Sequence, residues 1–144
     1  MTATPEVKTS ALLRLRLRRE IAQVSDGYYK SAEELARRMK KADLRIAQVR
    51  GLENVAYTTD KVSDILDLIK RQIGRGRWPI ELGEDLLNAL GDRRAEAKQI
   101  AQRVDPKGED DDLPRRTHLL LCREFIKHLA THFVYLGKLS GEER

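Results

Sequence analysis

The chain reads as an all-α protein, a five-helix bundle folded as a single domain. Three observations predict it. Hydrophobic residues make up 40% of the chain and charged residues 35%, with only 5% aromatic, a Leu-, Ala-, Glu-, Lys- and Arg-rich balance that suits helices better than sheets. Apolar residues recur three and four positions apart in five separate segments. At 144 residues the length suffices for one core but not for two independent ones.

The first segment, "ALLRLRLRREIAQV", alternates like a strand at its start. Beyond it Leu13, Leu17, Ile21 and Val24 form a helical stripe that Thr9 or Ser10 can cap. Leu12 and Leu15 fall off that stripe, which suggests a second contact, either within a larger bundle or with another chain. After "DGYY", Ser31 and Glu34 form a capping box. The second helix then carries Leu35, Met39, Ala42, Ile46 and Val49 on one face and is expected to end at Gly51.

A third helix starts at "TTDK" and runs to Gly74 through Val62, Ile65, Leu66, Ile69 and Ile73. Pro79 suits the first turn of a fourth, in which Leu82, Leu86, Leu90, Ala97, Ile100 and Val104 share a face and Gly91 is a weak point. Residues 105–115, "DPKGEDDDLPR", have two prolines, four consecutive acids and no apolar period, which predicts a solvated, mobile loop. The fifth and most apolar helix spans 117–136, with Leu119, Leu120, Phe125, Ile126, Leu129, Phe133 and Leu136 on or near one side.

The net charge of +5 is unevenly spread. Residues 1–80 hold 17 Lys/Arg against 10 Asp/Glu, whereas 81–144 hold 11 against 13. One basic face, drawn mainly from residues 8–80, points to a polyanionic partner. The single cysteine, Cys122, excludes an intrachain disulfide and fits a reducing, cytoplasmic setting. No apolar run approaches a membrane span and no secretory h-region opens the chain, so no membrane partner is expected.

Catalytic and metal chemistry find little support. His128 and His132 are four apart, but Leu129 stands where the zinc-protease pattern needs a glutamate. His118 and Cys122 lie about ten residues and roughly 15 Å away from that pair on the same helix. Cys122 on an apolar helix reads as core. Glu84/Asp85 and Asp64/Asp67 sit where a solvated helix face puts them, and Glu109 to Asp112 lack the ligand spacing of a calcium loop. No phosphate-binding glycine motif occurs. The reading is therefore no enzyme, no metal and no cofactor.

The basic set carries the strongest signal. Arg14 and Arg18, with Arg16 and Arg19, surround the first helix. Arg38, Lys41 and Arg45 flank the second, and Lys70, Arg71, Arg75 and Arg77 cluster near the end of the third. Guanidinium groups suit phosphate because they donate two parallel hydrogen bonds and stay charged. In "GRGRWP", Gly74 and Gly76 would let a strand approach, and Trp78 could stack on a base or anchor the loop in the core. A major-groove reader is disfavoured, because Asp60, Asp64 and Asp67 make the candidate recognition helix acidic. The expectation is a sequence-independent grip on RNA or single-stranded DNA through the backbone.

A family resemblance accompanies this reading. "YTTDKVSDILDLI" resembles the threonine-rich helix start of the small subunits of type III (Csm-like) CRISPR effector complexes, and "LLLCREFIKHLATHFVYLGKL" resembles their C-terminal helix. The arginine that this family carries just after its threonine pair has no match in "TTDKVSD", where Lys61 is the nearest cation. A small subunit from a type I complex is also compatible with these features. The resemblance implies a non-catalytic subunit, present in several copies stacked along a guide–target filament. Such copies would contact target RNA or a displaced DNA strand, with Leu12 and Leu15 at subunit contacts.

Two alternatives stand beside it. One is a helical scaffold or adaptor that uses its basic face for acidic proteins. The other is a small all-α enzyme with an arginine-lined anion pocket, since "LLNALGDRRAEAKQIAQRV" resembles a helix of the all-α chorismate mutases.

Overall fold

The computed structural model describes residues 5–141, with side chains from residue 11 onward. Six helices follow one another: α1 (Pro5–Gly27), α2 (Tyr29–Lys41), α3 (Ile46–Thr58), α4 (Val62–Gly74), α5 (Ile80–Val104) and α6 (Leu113–Leu139). There is no strand among the described residues. The longest, α6, packs against all five others, most extensively against α2 and α5, and its buried Leu121, Cys122, Ile126 and Leu129 form the centre of the core. No helix among the described residues is long and apolar enough to cross a membrane.

The sixth helix corrects the five-helix expectation. The apolar stripe from Leu35 to Val49 reads straight through, yet the chain breaks between Lys41 and Ile46. Asp43 takes φ = 59°, a left-handed conformation that aspartate tolerates better than most L-residues. The Asp43 N–H donates to the Lys40 carbonyl at 3.0 Å and the Leu44 N–H to the Met39 carbonyl at 3.1 Å. These two bonds define a Schellman stop. Met39 and Leu44, the pair of positions that meet in this motif, are both buried. Gly51, expected as the terminator, lies inside α3 instead. Ser31 likewise lies inside α2, which starts two residues earlier without a side-chain cap.

Elsewhere the helices follow their periodicity. Leu13, Leu17, Ile21 and Val24 of α1 pack against the core. That helix begins at Pro5, ahead of Thr9 and Ser10, whose side chains lie outside the described ones. At the start of α4 the Thr59 hydroxyl oxygen accepts the Lys61 N–H at 3.1 Å and donates to the Asp64 carboxylate at 2.5 Å. All six predicted apolar positions of α5 are buried, and Gly91 sits exposed in an unbroken helix.

Helix α6 starts at Leu113, with Pro114 in its first turn, so residues 113–115 belong to the helix rather than to the preceding loop. In that loop the Asp105 carboxylate accepts the N–H groups of Glu109 at 3.3 Å and Asp110 at 3.0 Å. Arg116 pairs with Asp110 and Asp112, and Arg115 pairs with Asp112 at 3.0 Å.

Candidate nucleic-acid interface

The segment "GRGRWP" is built as a helix stop. At the end of α4 the Gly76 N–H donates to the Ile73 carbonyl at 2.9 Å and the Arg77 N–H to the Gln72 carbonyl at 2.8 Å, the same pair of bonds that ends α2. Gly76 holds φ = 72°, so its glycine is required by the turn itself. Trp78 is 2% exposed. Its indole N–H donates to the Gln72 side-chain oxygen, pinning the turn back onto α4. Trp78 therefore serves as a core anchor and offers no face for stacking. A side chain at Gly83 would overlap Ile73, so this glycine lets the first turn of α5 lie against the end of α4.

The α2–α3 and α4–α5 corners stand side by side, tied by an ion pair at 2.7 Å between Arg38 on α2 and Asp85 on α5. Between them lies a cleft of about 610 Å³ lined by Asp43, Arg45, Gln48, Arg75, Arg77 and Trp78, among others. Arg45, Arg75 and Arg77 are exposed, and none of the three makes an ion pair with a described residue. With the Asp43 carboxylate on the same rim, three positive and one negative side chain leave a net +2. Cations are also favoured here by the negative ends of α2 and α4.

The remaining predicted cations do not all join this cleft. Lys70 and Arg71 are exposed near the end of α4, and the Arg71 carbonyl accepts the Arg75 N–H at 3.0 Å. Lys41 borders a separate groove of about 720 Å³ with Arg37, Arg38, Lys40, Leu136 and Leu139. Arg14 and Arg18 are exposed on α1. That helix is fastened to the far end of α5 by Glu20, which Arg103 grips through two hydrogen bonds of 3.1 and 3.0 Å. Twenty-three helical steps separate Ile80 from Arg103, roughly 35 Å. The basic residues thus form two regions near opposite ends of the bundle. Leu12 and Leu15 are 55% and 43% exposed on α1.

The groups that could carry other chemistry are occupied by the fold. Arg93 lies over the Tyr28 ring, 4.7 Å from its centre, and pairs with Glu96, which also accepts the Tyr28 hydroxyl. Burial and that glutamate push the Tyr28 phenol well above its usual range. Arg123 donates to the Ala56 and Thr59 carbonyls. These half-buried arginines are committed to protein acceptors and do not converge on an anion pocket.

His118 and Cys122 share one acceptor, the Leu90 carbonyl, at 2.9 and 3.6 Å. Burial pushes the Cys122 thiol up to about 12. The Tyr29 ring makes T-shaped contacts with both His128 and His132, and His128 lies 3.0 Å from the Ser25 hydroxyl. No group of three His, Cys, Asp or Glu side chains able to hold a metal occurs among the described residues.

Two cleft residues, Asp43 and Gln48, are not marked by the sequence pattern. Both follow from the corner at 42–45: once Asp43 turns the chain, Arg45 becomes the residue that opens α3 and Gln48 completes its first turn. An aspartate ahead of a buried leucine, between two amphipathic segments, is the signal that the sequence holds for this corner. No family model, curated protein or solved structure matches the chain.

Proposed function

We propose that this protein is a non-catalytic nucleic-acid-binding subunit that grips a single-stranded or hybrid backbone at the cleft between its two helix corners. The observation that carries the reading is the meeting of Arg45, Arg75 and Arg77, from two distant parts of the chain, without ion-pair partners among the described residues. Both corners are rigid, because each is closed by two Schellman hydrogen bonds and backed by Trp78 or Leu44 in the core. The planar guanidinium fork is pre-organised for phosphate, and contacts to the backbone specify no base.

The likeness of "YTTDKVSDILDLI" and of the C-terminal helix to small subunits of CRISPR effector complexes makes such an assembly the proposed setting, with several copies along the guide–target filament. Two features favour stacking. Leu12 and Leu15 are exposed on α1, and the acidic loop between α5 and α6 lies at the opposite end of α5 from the arginine cleft. One copy can therefore offer acids where the next offers arginines.

The deciding measurement is fluorescence anisotropy with labelled random-sequence RNA and DNA across a salt series. Affinity should fall linearly in log salt. The triple variant Arg45→Ala, Arg75→Ala, Arg77→Ala should reduce that slope by about 2, because each phosphate neutralised on a single strand adds roughly 0.7 to it. Unchanged affinity in the triple variant would remove the cleft from the interface.

The groove bordered by Arg37, Lys40, Lys41, Leu136 and Leu139 favours a second reading, a scaffold for acidic protein segments. Salt-insensitive binding to a protein partner, with no binding to nucleic acid, would select it.

A further inference from the structure

Beside its arginines, the cleft contains a nearly buried polar side chain that the fold does not use. Gln48 is only 7% exposed, yet its side-chain amide makes no hydrogen bond with any described residue. Its backbone N–H is already spent on the Arg45 carbonyl at 3.1 Å, as part of the corner. Neither amide atom is among the fully enclosed atoms left without a partner, so the amide reaches the cleft that Gln48 lines. The nearly enclosed residue thus holds an amide that only solvent or a bound molecule can satisfy. Its neighbours decide what that molecule is. Arg45 stands three residues earlier, one turn away, and Arg75 and Arg77 face it across the cleft.

We infer that the cleft receives one ribonucleotide of the bound strand, with its phosphate among Arg45, Arg75 and Arg77 and its ribose 2′-hydroxyl on the Gln48 amide. Gln48 is then the residue that makes the protein prefer RNA to DNA. The inference rests on the cleft being a phosphate site and adds to it the identity of the sugar.

The chemistry fits in three respects. A carboxamide both donates and accepts, as a hydroxyl does, so the pair can satisfy each other fully. Arg45 is the N-cap of α3 and Gln48 its third residue, positions that meet in a capping box, which suits a phosphate and the ribose beside it better than a phosphate and a distant base edge. A volume of about 610 Å³ lies within the roughly 300–1,000 Å³ of small-molecule sites, enough for one nucleotide and too small for a duplex. The 2′-hydroxyl is the group that distinguishes RNA from DNA at a given site. A site built to hydrogen-bond a hydroxyl rejects the analogue that lacks it, because its own polar group is then left unpaired.

The test compares uridine and 2′-deoxyuridine dodecamers, labelled identically, against the wild-type protein and Gln48→Leu at one low salt concentration and along a salt series. The wild type should bind the ribose strand about tenfold more tightly. Gln48→Leu should cut that preference to less than twofold by weakening RNA binding alone, with the salt slope unchanged.

Equal affinity of the wild-type protein for the two strands overturns the assignment while leaving the phosphate grip intact. That comparison needs no variant to fold. A preference that survives Gln48→Leu overturns it as well. Wild-type-like RNA binding by the triple arginine variant, or no binding of either strand by the wild type, would instead show that the underlying phosphate site is wrong.

Discussion

Arg123 on α6 reaches across to the end of α3, where its Nε donates to the Ala56 carbonyl at 2.6 Å while Nη2 donates to the Thr59 carbonyl at 2.9 Å. Both carbonyls belong to the terminus of α3, where intrahelical partners run out. The guanidinium therefore closes α3 and fastens the α3–α4 turn to the central helix. Replacing Arg123 by Met keeps the apolar stem and removes both charge-assisted bonds. A loss of about 2–3 kcal/mol in urea denaturation is expected, and Arg123→Lys should recover part of it.

The two glycines of "GRGR" should respond oppositely to alanine. Gly74 ends α4 with open space where a Cβ would go, so Gly74→Ala should stabilise by up to about 1 kcal/mol. Gly76 sits at φ = 72°, and Gly76→Ala should cost about 1–2 kcal/mol. Thermal melts of the two variants would check both signs.

Gly83→Ala should destabilise by about 1–3 kcal/mol, because the new methyl overlaps Ile73 and approaches Trp78 Cβ to 3.6 Å. Adding Ile73→Ala opens the space. The double variant should therefore lose less than the two single losses combined, and a double-mutant cycle in urea measures the coupling.

Stability should decline as the pH falls from about 7 to 5. Burial holds both His118 and His128 below the ordinary 6.5, so the unfolded chain takes up protons before the folded one does. Their contribution is complete above 6.5 and is lost as the pH drops through the lowered folded values. Glu20, held down by its hydrogen bond from Arg103, and Glu124, held down by Lys127 and Ser25 against its own burial, lose theirs only below about 4.5. Urea midpoints between pH 8 and 5 should show the histidine step, and His118→Gln, which keeps a donor for the Leu90 carbonyl, should flatten it.

Leu12→Glu with Leu15→Glu should leave monomer stability within about 0.5 kcal/mol of wild type, since both side chains are largely exposed. In the proposed assembly it should abolish association of successive copies on a long RNA. Sedimentation with RNA long enough for several copies reads this directly.

Helix periodicity makes most of the fold legible. With the exception of Leu120, the stripes of α1, α4, α5 and α6 mark faces that are buried or packed against the core, and Pro79 and the Thr59 region mark helix starts that the structure contains. The corner at Asp43 is hidden because Leu35, Met39, Ala42, Ile46 and Val49 keep helical spacing across it, and because glycine is the commoner stop signal. That one hidden turn also conceals the site. A continuous second helix would carry Arg45 along its flank, whereas the corner brings it to Arg75 and Arg77. The partner of Arg123 lies 67 positions away in sequence, and no local pattern encodes such a pairing.

The buried thiol has a practical corollary. Cys122 is the only cysteine, fully enclosed, bonded to the Leu90 carbonyl and held in its protonated form. A maleimide or iodoacetamide reagent reacts with thiolate and must first reach it. Alkylation of the native protein therefore proceeds no faster than the core opens around α6. The molecule carries its own clock for global opening, readable by intact mass at native conditions, and any strand that binds only the folded form should slow it in proportion to occupancy.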